Sequence, residues 1–175
     1  VLKGFRRLLS IETNPPVQQC IDCGAVPYFV YFLQRADCME LQFEAAWALT
    51  NIASTDKTQL VVECGAVPHL VALLSSGNAD IREQSAWCLG NVSGDSAQLR
   101  DIGIQNGALE PLIQNILHPA SLSLLRNCTW SLSNFCRGKP QPNIATIQAG
   151  LPVLGQLVTS NVDQETTTDA AWALS

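Results

Sequence analysis

The chain has 175 residues, 47% of them hydrophobic, with a net charge of −5. That apolar share supports a folded core, yet no apolar run approaches the roughly 18 residues of a membrane span. The acidic balance with few lysines disfavours a nucleic-acid backbone as partner and favours a cationic ligand through long-range attraction.

The first stretch, Val1 to Glu12, reads as the last helix of a truncated repeat, with Phe5, Leu8 and Leu9 on its apolar side. It carries Lys3, Arg6 and Arg7 and no apolar core of a secretory leader. Asn14-Pro15-Pro16 stops it, because the residue before a proline is pushed out of the α region. A first full unit follows: a short helix over Val17 to Cys23, a break at Gly24, a helix over Pro27 to Arg35, a turn near Asp37 and a long helix over Leu41 to Ala53. The next unit has helices over Thr58 to Glu63, Pro68 to Leu74 and Ile81 to Ser93. The third has Leu99 to Gln105, Pro111 to Leu117 and Leu122 to Cys136. The last has Asn143 to Gln148, Pro152 to Thr159 and a helix from Gln164. Each proline after a unit's glycine fits a first helical turn, where its missing N–H costs nothing.

Two markers set the beat. Trp47-Ala48-Leu49-Thr50-Asn51 recurs as Trp87-Cys88-Leu89-Gly90-Asn91, as Trp130-Ser131-Leu132-Ser133-Asn134 and as Trp172-Ala173-Leu174. Gly24, Gly65, Gly107 and Gly150 keep step with them. A helical period of roughly 40 to 47 residues signals an armadillo or HEAT array, and three helices per unit favours armadillo. The expected fold is therefore an all-α armadillo-repeat right-handed superhelical solenoid. Its units are 1–13 (truncated), 14–55, 56–96, 97–138 and 139–175, and its core is a ribbon shared between neighbours. The chain begins and ends in mid-pattern, as expected of a piece of a longer array.

On a helical wheel centred on each tryptophan, positions −3 and +4 share the indole's face. These positions hold Glu44, Gln84, Asn127 and Asp169 at −3, and Asn51, Asn91 and Asn134 at +4. Leu49, Leu89, Leu132 and Leu174, with Ile52, Val92 and Phe135, lie on the other side and read as core. The indoles should thus line an exposed polar strip. Such large apolar rings in a row are a costly surface unless something covers them.

Stacked helices sit roughly 8–10 Å apart and an extended peptide advances about 3.3 Å per residue, so one repeat spans roughly three peptide residues. A row of carboxamides can pair with a peptide backbone without reading its side chains. Slots between indoles suit an aliphatic stem ending in a cation, with carboxylates such as Asp95 and Asp169 completing the charge. The ligand this describes is a short, extended, Lys/Arg-rich segment.

Trp47 to Ser54, Trp87 to Asp95 and Leu125 to Arg137 closely resemble the importin-α family of nuclear-import adaptors, and the similarity spans essentially the whole chain. That resemblance implies the following roles. Trp47, Trp87 and Trp130 form lysine slots, with Trp172 beyond them, and Asn51, Asn91 and Asn134 clamp the ligand backbone. Asp95 and Thr58 hold the most tightly selected lysine. Gln84, Asn127 and Asp169 flank it, Arg137 closes the matched motif, and Leu9 and Ser10 mark the first-repeat end of the groove. The partners implied are proteins carrying basic nuclear localisation signals, and importin-β through an N-terminal segment that this sequence does not include. Shuttling between cytoplasm and nucleus follows, with neither nucleic acid nor membrane as partner.

An enzyme and a metal protein fit poorly. Cys20-x-x-Cys23 reads as two small core residues rather than a redox pair. His69 and His118 are isolated, and no cofactor or metal is expected. The seven cysteines, an odd number set within helices, point to a reducing compartment. The alternative is a β-catenin-like armadillo scaffold for adhesion or signalling, which would offer a basic groove to acidic ligands. The acidic charge and the Trp/Asn ladder argue against it.

Overall fold

A computed structural model describes residues 1–160 and 162–175. Among these residues every regular element is helical. The truncated first unit supplies α1 (Leu2–Leu9). The next supplies α2 (Val17–Asp22), α3 (Ala25–Leu33) and α4 (Met39–Ala53). Then come α5 (Thr58–Glu63), α6 (Ala66–Leu73) and α7 (Ala79–Asp95), followed by α8 (Ala97–Gln105), α9 (Leu109–Leu117) and α10 (Leu122–Cys136). The last unit has α11 (Ile144–Ile147), a 3-10 turn (Gln148–Gly150), α12 (Leu151–Ser160) and α13 (Gln164–Leu174).

The unit boundary is written in the glycines. Gly24, Gly65 and Gly107 take φ of 73°, 79° and 80°, a left-handed turn that a side chain resists. The following helices begin two residues earlier than the prolines suggest, at Ala25, Ala66 and Leu109. Pro27, Pro68 and Pro111 therefore sit third in the helix rather than first. They still lie within the turn whose N–H groups have no partner, so no hydrogen bond is lost.

The long helices α1, α4, α7, α10 and α13 pack each on the next, while α3, α6, α9 and α12 form a second row behind them. This is the armadillo solenoid expected. The shared core runs between the rows. Leu49, Leu89, Leu132, Ile52, Val92 and Phe135 are each at most 1% exposed, at about 1.5–3 kcal/mol of apolar burial per large side chain. Leu174 departs from the pattern at 45% exposure, since no further described helix lies against it. The 0% exposure of Ala45, Ala46, Ala48 and Ala86 lets the stacked helices approach closely.

Polar bonds lock neighbouring units in register. The Thr50 hydroxyl, 2.9 Å from Ala46 O in its own helix, also lies 3.2 Å from Gln84 O, where α4 meets α7. Asn115 Nδ2 donates to Leu74 O at 2.8 Å and its Oδ1 accepts from Arg82 Nε at 2.8 Å. Arg126 holds Asp163 through contacts of 3.0 and 2.6 Å, joining α10 to the start of α13. The Asp163 carboxylate also caps α13 by accepting from Thr166 N at 3.0 Å.

Candidate functional site

The tryptophans come from one register position of α4, α7, α10 and α13, so the stacking of those helices aligns them. Trp47 and Trp130 are half-buried, Trp87 is 41% exposed and Trp172 is 64% exposed. The rings are therefore partly sunk between helices rather than fully proud of the surface. Trp130 shows why: its six-membered ring lies against the backbone at Gly90, where a methyl group would overlap it. Position +3 of the unit before provides the floor.

The asparagines are aligned too, but their amides are shared. Asn51 Nδ2 donates to Ser10 Oγ at 3.0 Å, Asn91 Nδ2 to Thr50 O at 3.1 Å, and Asn134 Nδ2 to Gly90 O at 2.9 Å. Each carboxamide thus spends one donor hydrogen on the preceding unit. Asn51 and Asn91 remain half-exposed, whereas Asn134 is 2% exposed and its Oδ1 accepts from Arg137 Nε at 3.0 Å. Arg137, itself exposed, covers the Asn134 acceptor.

Burial corrects the expected strip at several positions. Gln84 is 8% exposed and its Oε1 has no hydrogen-bond partner. Leu9 is 3% exposed and belongs to the core, so only its backbone could meet a ligand. Thr58 is 2% exposed and its hydroxyl donates to Ala53 O at 2.8 Å and lies 2.9 Å from Thr55 O, so it shapes a loop first. The wheel treats a helix as though it stood alone, whereas the flanking units cover the −3 and +4 edges. Ser10 is exposed and Asn127 is half-exposed, its Nδ2 reaching Glu83 Oε1 at 3.4 Å. Asp169 is half-buried, and burial, then repulsion from Glu165, raises its pKa while Arg137 opposes the rise.

The residues converge at one place. A shallow pocket of about 300 Å³ is lined by Ala53 to Thr55 from one unit, by Thr58, Gly90, Asn91, Gly94 and Asp95 from the next, and by Trp130, Asn134 and Arg137 from the third. Asp95 is exposed there, a carboxylate beside an indole face and two carboxamides. A separate, larger cavity of about 610 Å³ lies between α6 and α9, lined by Val71, Arg82, Gln114 and His118 among others. It holds none of the ladder residues.

Two side chains support this strip in ways that sequence reasoning did not foresee. Arg100 is 1% exposed and its Nη1 donates to Arg137 O at 3.0 Å and to Pro140 O at 2.7 Å, holding the loop that carries Arg137. Nothing in Leu99-Arg100-Asp101, within a helix that mixes apolar and polar residues, signalled that role. The other is Arg6, which stacks over Trp47 with Cζ 4.3 Å from the ring centroid.

The Cys20 and Cys23 reading is half right: Cys20 is buried, but Cys23 is exposed, its Sγ lying 3.2 Å from Cys20 O. All seven cysteines are free thiols. Among the described residues no cluster of His, Cys, Asp and Glu could hold a metal ion.

A row of indoles and carboxamides at one register position along stacked helical units defines a repeat-built solenoid. The armadillo/β-catenin-like repeat model matches residues 13–54, 54–94 and 96–137, and the chain belongs to that family. It is 57% identical over 173 residues to importin subunit alpha-1b of Oryza sativa subsp. japonica, covering 98% of this chain and 32% of that protein. It is 56% identical to importin subunit alpha-2 of Arabidopsis thaliana and 51% identical to importin subunit alpha-B of Dictyostelium discoideum, again over 98% of this chain. The chain spans about a third of the length of these relatives, 32 to 34%. Among solved structures, it is similar to a designed armadillo repeat protein in complex with peptide (KR)4. The TM-score is 0.84 at 28% identity, covering 99% of this chain and 72% of that one.

Proposed function

We propose that this chain is a non-catalytic adaptor module that holds Lys/Arg-rich nuclear localisation signals of cargo proteins, extended along the Trp/Asn strip, for nuclear import. The carrying observation is the three-unit pocket that sets Asp95 beside Trp130, Asn91 and Asn134. A lysine stem packs on the indole there, its ammonium meets the Asp95 carboxylate, and the half-exposed Asn91 carboxamide faces the ligand backbone, while Asn134, buried and bonded to Gly90 and Arg137, supports the pocket wall. Trp47, Trp87 and Trp172 extend the same chemistry to either side, and Ser10, Asn51, Asn127 and Asp169 border it. The importin α subunits it resembles, and the (KR)4 peptide of the designed repeat protein, support the reading. Importin-β is the second partner the resemblance implies, and shuttling between cytoplasm and nucleus goes with it.

Titration with a lysine-rich and an acidic peptide, followed by indole fluorescence, tests this. The lysine-rich peptide alone should respond. Asn91→Ala should weaken all basic peptides alike, by about two- to tenfold for one lost hydrogen bond. Asp95→Lys should abolish selection for the pocket lysine through like-charge contact. A response only to the acidic peptide sinks the reading in favour of a β-catenin-like scaffold.

A further inference from the structure

The Trp/Asn register, carried back one period from Trp47 and Asn51, falls on Arg6 and Ser10 in α1. The first copy therefore has an arginine where the others have an indole. The structure shows what that arginine does. Its Cζ lies 4.3 Å from the Trp47 ring centroid. Its Nε donates to Glu44 Oε2 at 2.8 Å, and Nη2 lies 3.4 Å from Oε1. The pair is sheltered, with side-chain exposures of 18% for Arg6 and 6% for Glu44. Phe43 meets the same indole edge-on, with centroids 5.5 Å apart.

These are the contacts that a basic ligand side chain would make in a slot of the strip: a cation over an indole face, closed by a carboxylate at position −3. We infer that Arg6 is an internal ligand, seated in the slot on the α1 side of Trp47, and that it fixes where along the strip basic side chains stop being read. The inference rests on the basic-peptide function proposed above. An incoming lysine at this register must displace Arg6 from Glu44, and it meets the positive charges of Arg6 and Arg7 while doing so. The cationic peptide is thereby excluded from the first unit and held to the slots made by Trp47, Trp87 and Trp130. Glu44 is not a vacant specificity carboxylate; it is already paired.

The test uses a peptide with a central Lys-Arg-Lys run and two longer forms. Each longer form has one further lysine placed roughly three residues beyond one end, the span of one repeat. Norleucine in place of the added lysine is the control for apolar contact. Against the unaltered protein, the lysine added at the α1 end changes affinity by no more than about twofold relative to norleucine, as expected for a filled slot. In Arg6→Ala, Trp47 and Glu44 are released, and the form reaching α1 should bind about tenfold tighter with lysine than with norleucine, as for a partly desolvated cation on an indole. Should Arg6→Ala loosen α1, as judged by its circular dichroism and urea midpoint, Arg6→Gln frees the Glu44 carboxylate with a shorter, neutral side chain that lysine can displace, and gives a contrast of the same sign. Equal gain in the unaltered protein and the variant overturns the inference, as does no gain in either while the parent peptide still binds. Failure of the parent peptide to bind the unaltered protein removes the basic-peptide function itself, a distinguishable result.

Discussion

Gly90→Ala tests the seating of Trp130 with a single methyl group. Two effects oppose each other. In a helix interior alanine is favoured over glycine by about 1 kcal/mol, chiefly through backbone entropy. Against that, a Cβ at Gly90 would stand 2.7 Å from Trp130 Cε3 and nearer still to Cζ3, and forcing an added carbon into a packed contact costs about 1–3 kcal/mol. The obstacle is a ring packed against α7, not the free end of a flexible chain, so the clash wins and Gly90→Ala destabilises by about 0–2 kcal/mol. The sign is best read as a cycle. In a Trp130→Ala background the obstacle is gone, and the same substitution should stabilise by about 1 kcal/mol. Urea unfolding followed by circular dichroism reports both values. Affinity for a lysine-rich peptide, measured alongside, should fall in Gly90→Ala because a tilted Trp130 deforms the pocket with Asp95. Equal stabilisation in both backgrounds, with peptide affinity unchanged, would refute the contact.

Thiol chemistry and acid response follow from burial and pairing. Cys23 is exposed and should be alkylated by iodoacetamide at pH 8 in the native protein. Burial pushes the Cys88 and Cys128 thiols up to about 12, so these two should react only after denaturant is added. Early labelling of Cys88 would mean that α7 opens locally. The Arg126 guanidinium beside Asp163, with the Thr166 N–H, holds that carboxyl well below its ordinary range. Its folded pKa is depressed, so its contribution is complete above the unfolded value of about 3.9 and fades as pH falls below it. Hydrogen-exchange protection of α13 should therefore drop, relative to α7, as pH falls from about 4 to about 2, and Asp163→Asn should flatten that difference. An unchanged ratio would remove the ion pair from the account.

Most of the fold was legible because a repeat states its own boundaries many times over. Each glycine, each Trp-to-Asn step and each leucine two residues after the indole carries the same message, and helix bounds such as Thr58–Glu63 and Leu122–Cys136 agree with the expected ones to the residue. What the wheel missed lies between units. It correctly gave Leu89 to the core, but it had no means of knowing that Gln84 and Asn134 are covered by neighbouring units; Leu9, which the resemblance set at the end of the groove, is buried as its place on the apolar side of the first helix suggests. The register singled out Arg6 as a lost tryptophan; only distances reveal that it fills the space over Trp47. Gly90 stood in the repeating pentapeptide at a position otherwise held by Thr50 and Ser133, a contrast with no meaning until the ring of Trp130 is laid upon it.

The carboxamides have a consequence for how the array could be lengthened or retuned. Asn51 and Asn91 each grip the unit before them with the same group that faces the strip, and Asn134 makes the same grip from a buried position. Any change in the gap between two units turns that group, so the pitch at which successive residues are read and the rigidity of the stack are one property. Adding or removing a whole unit moves the reading frame by one intact step, whereas slipping a helix by a fraction of a step would leave an amide facing neither neighbour nor guest.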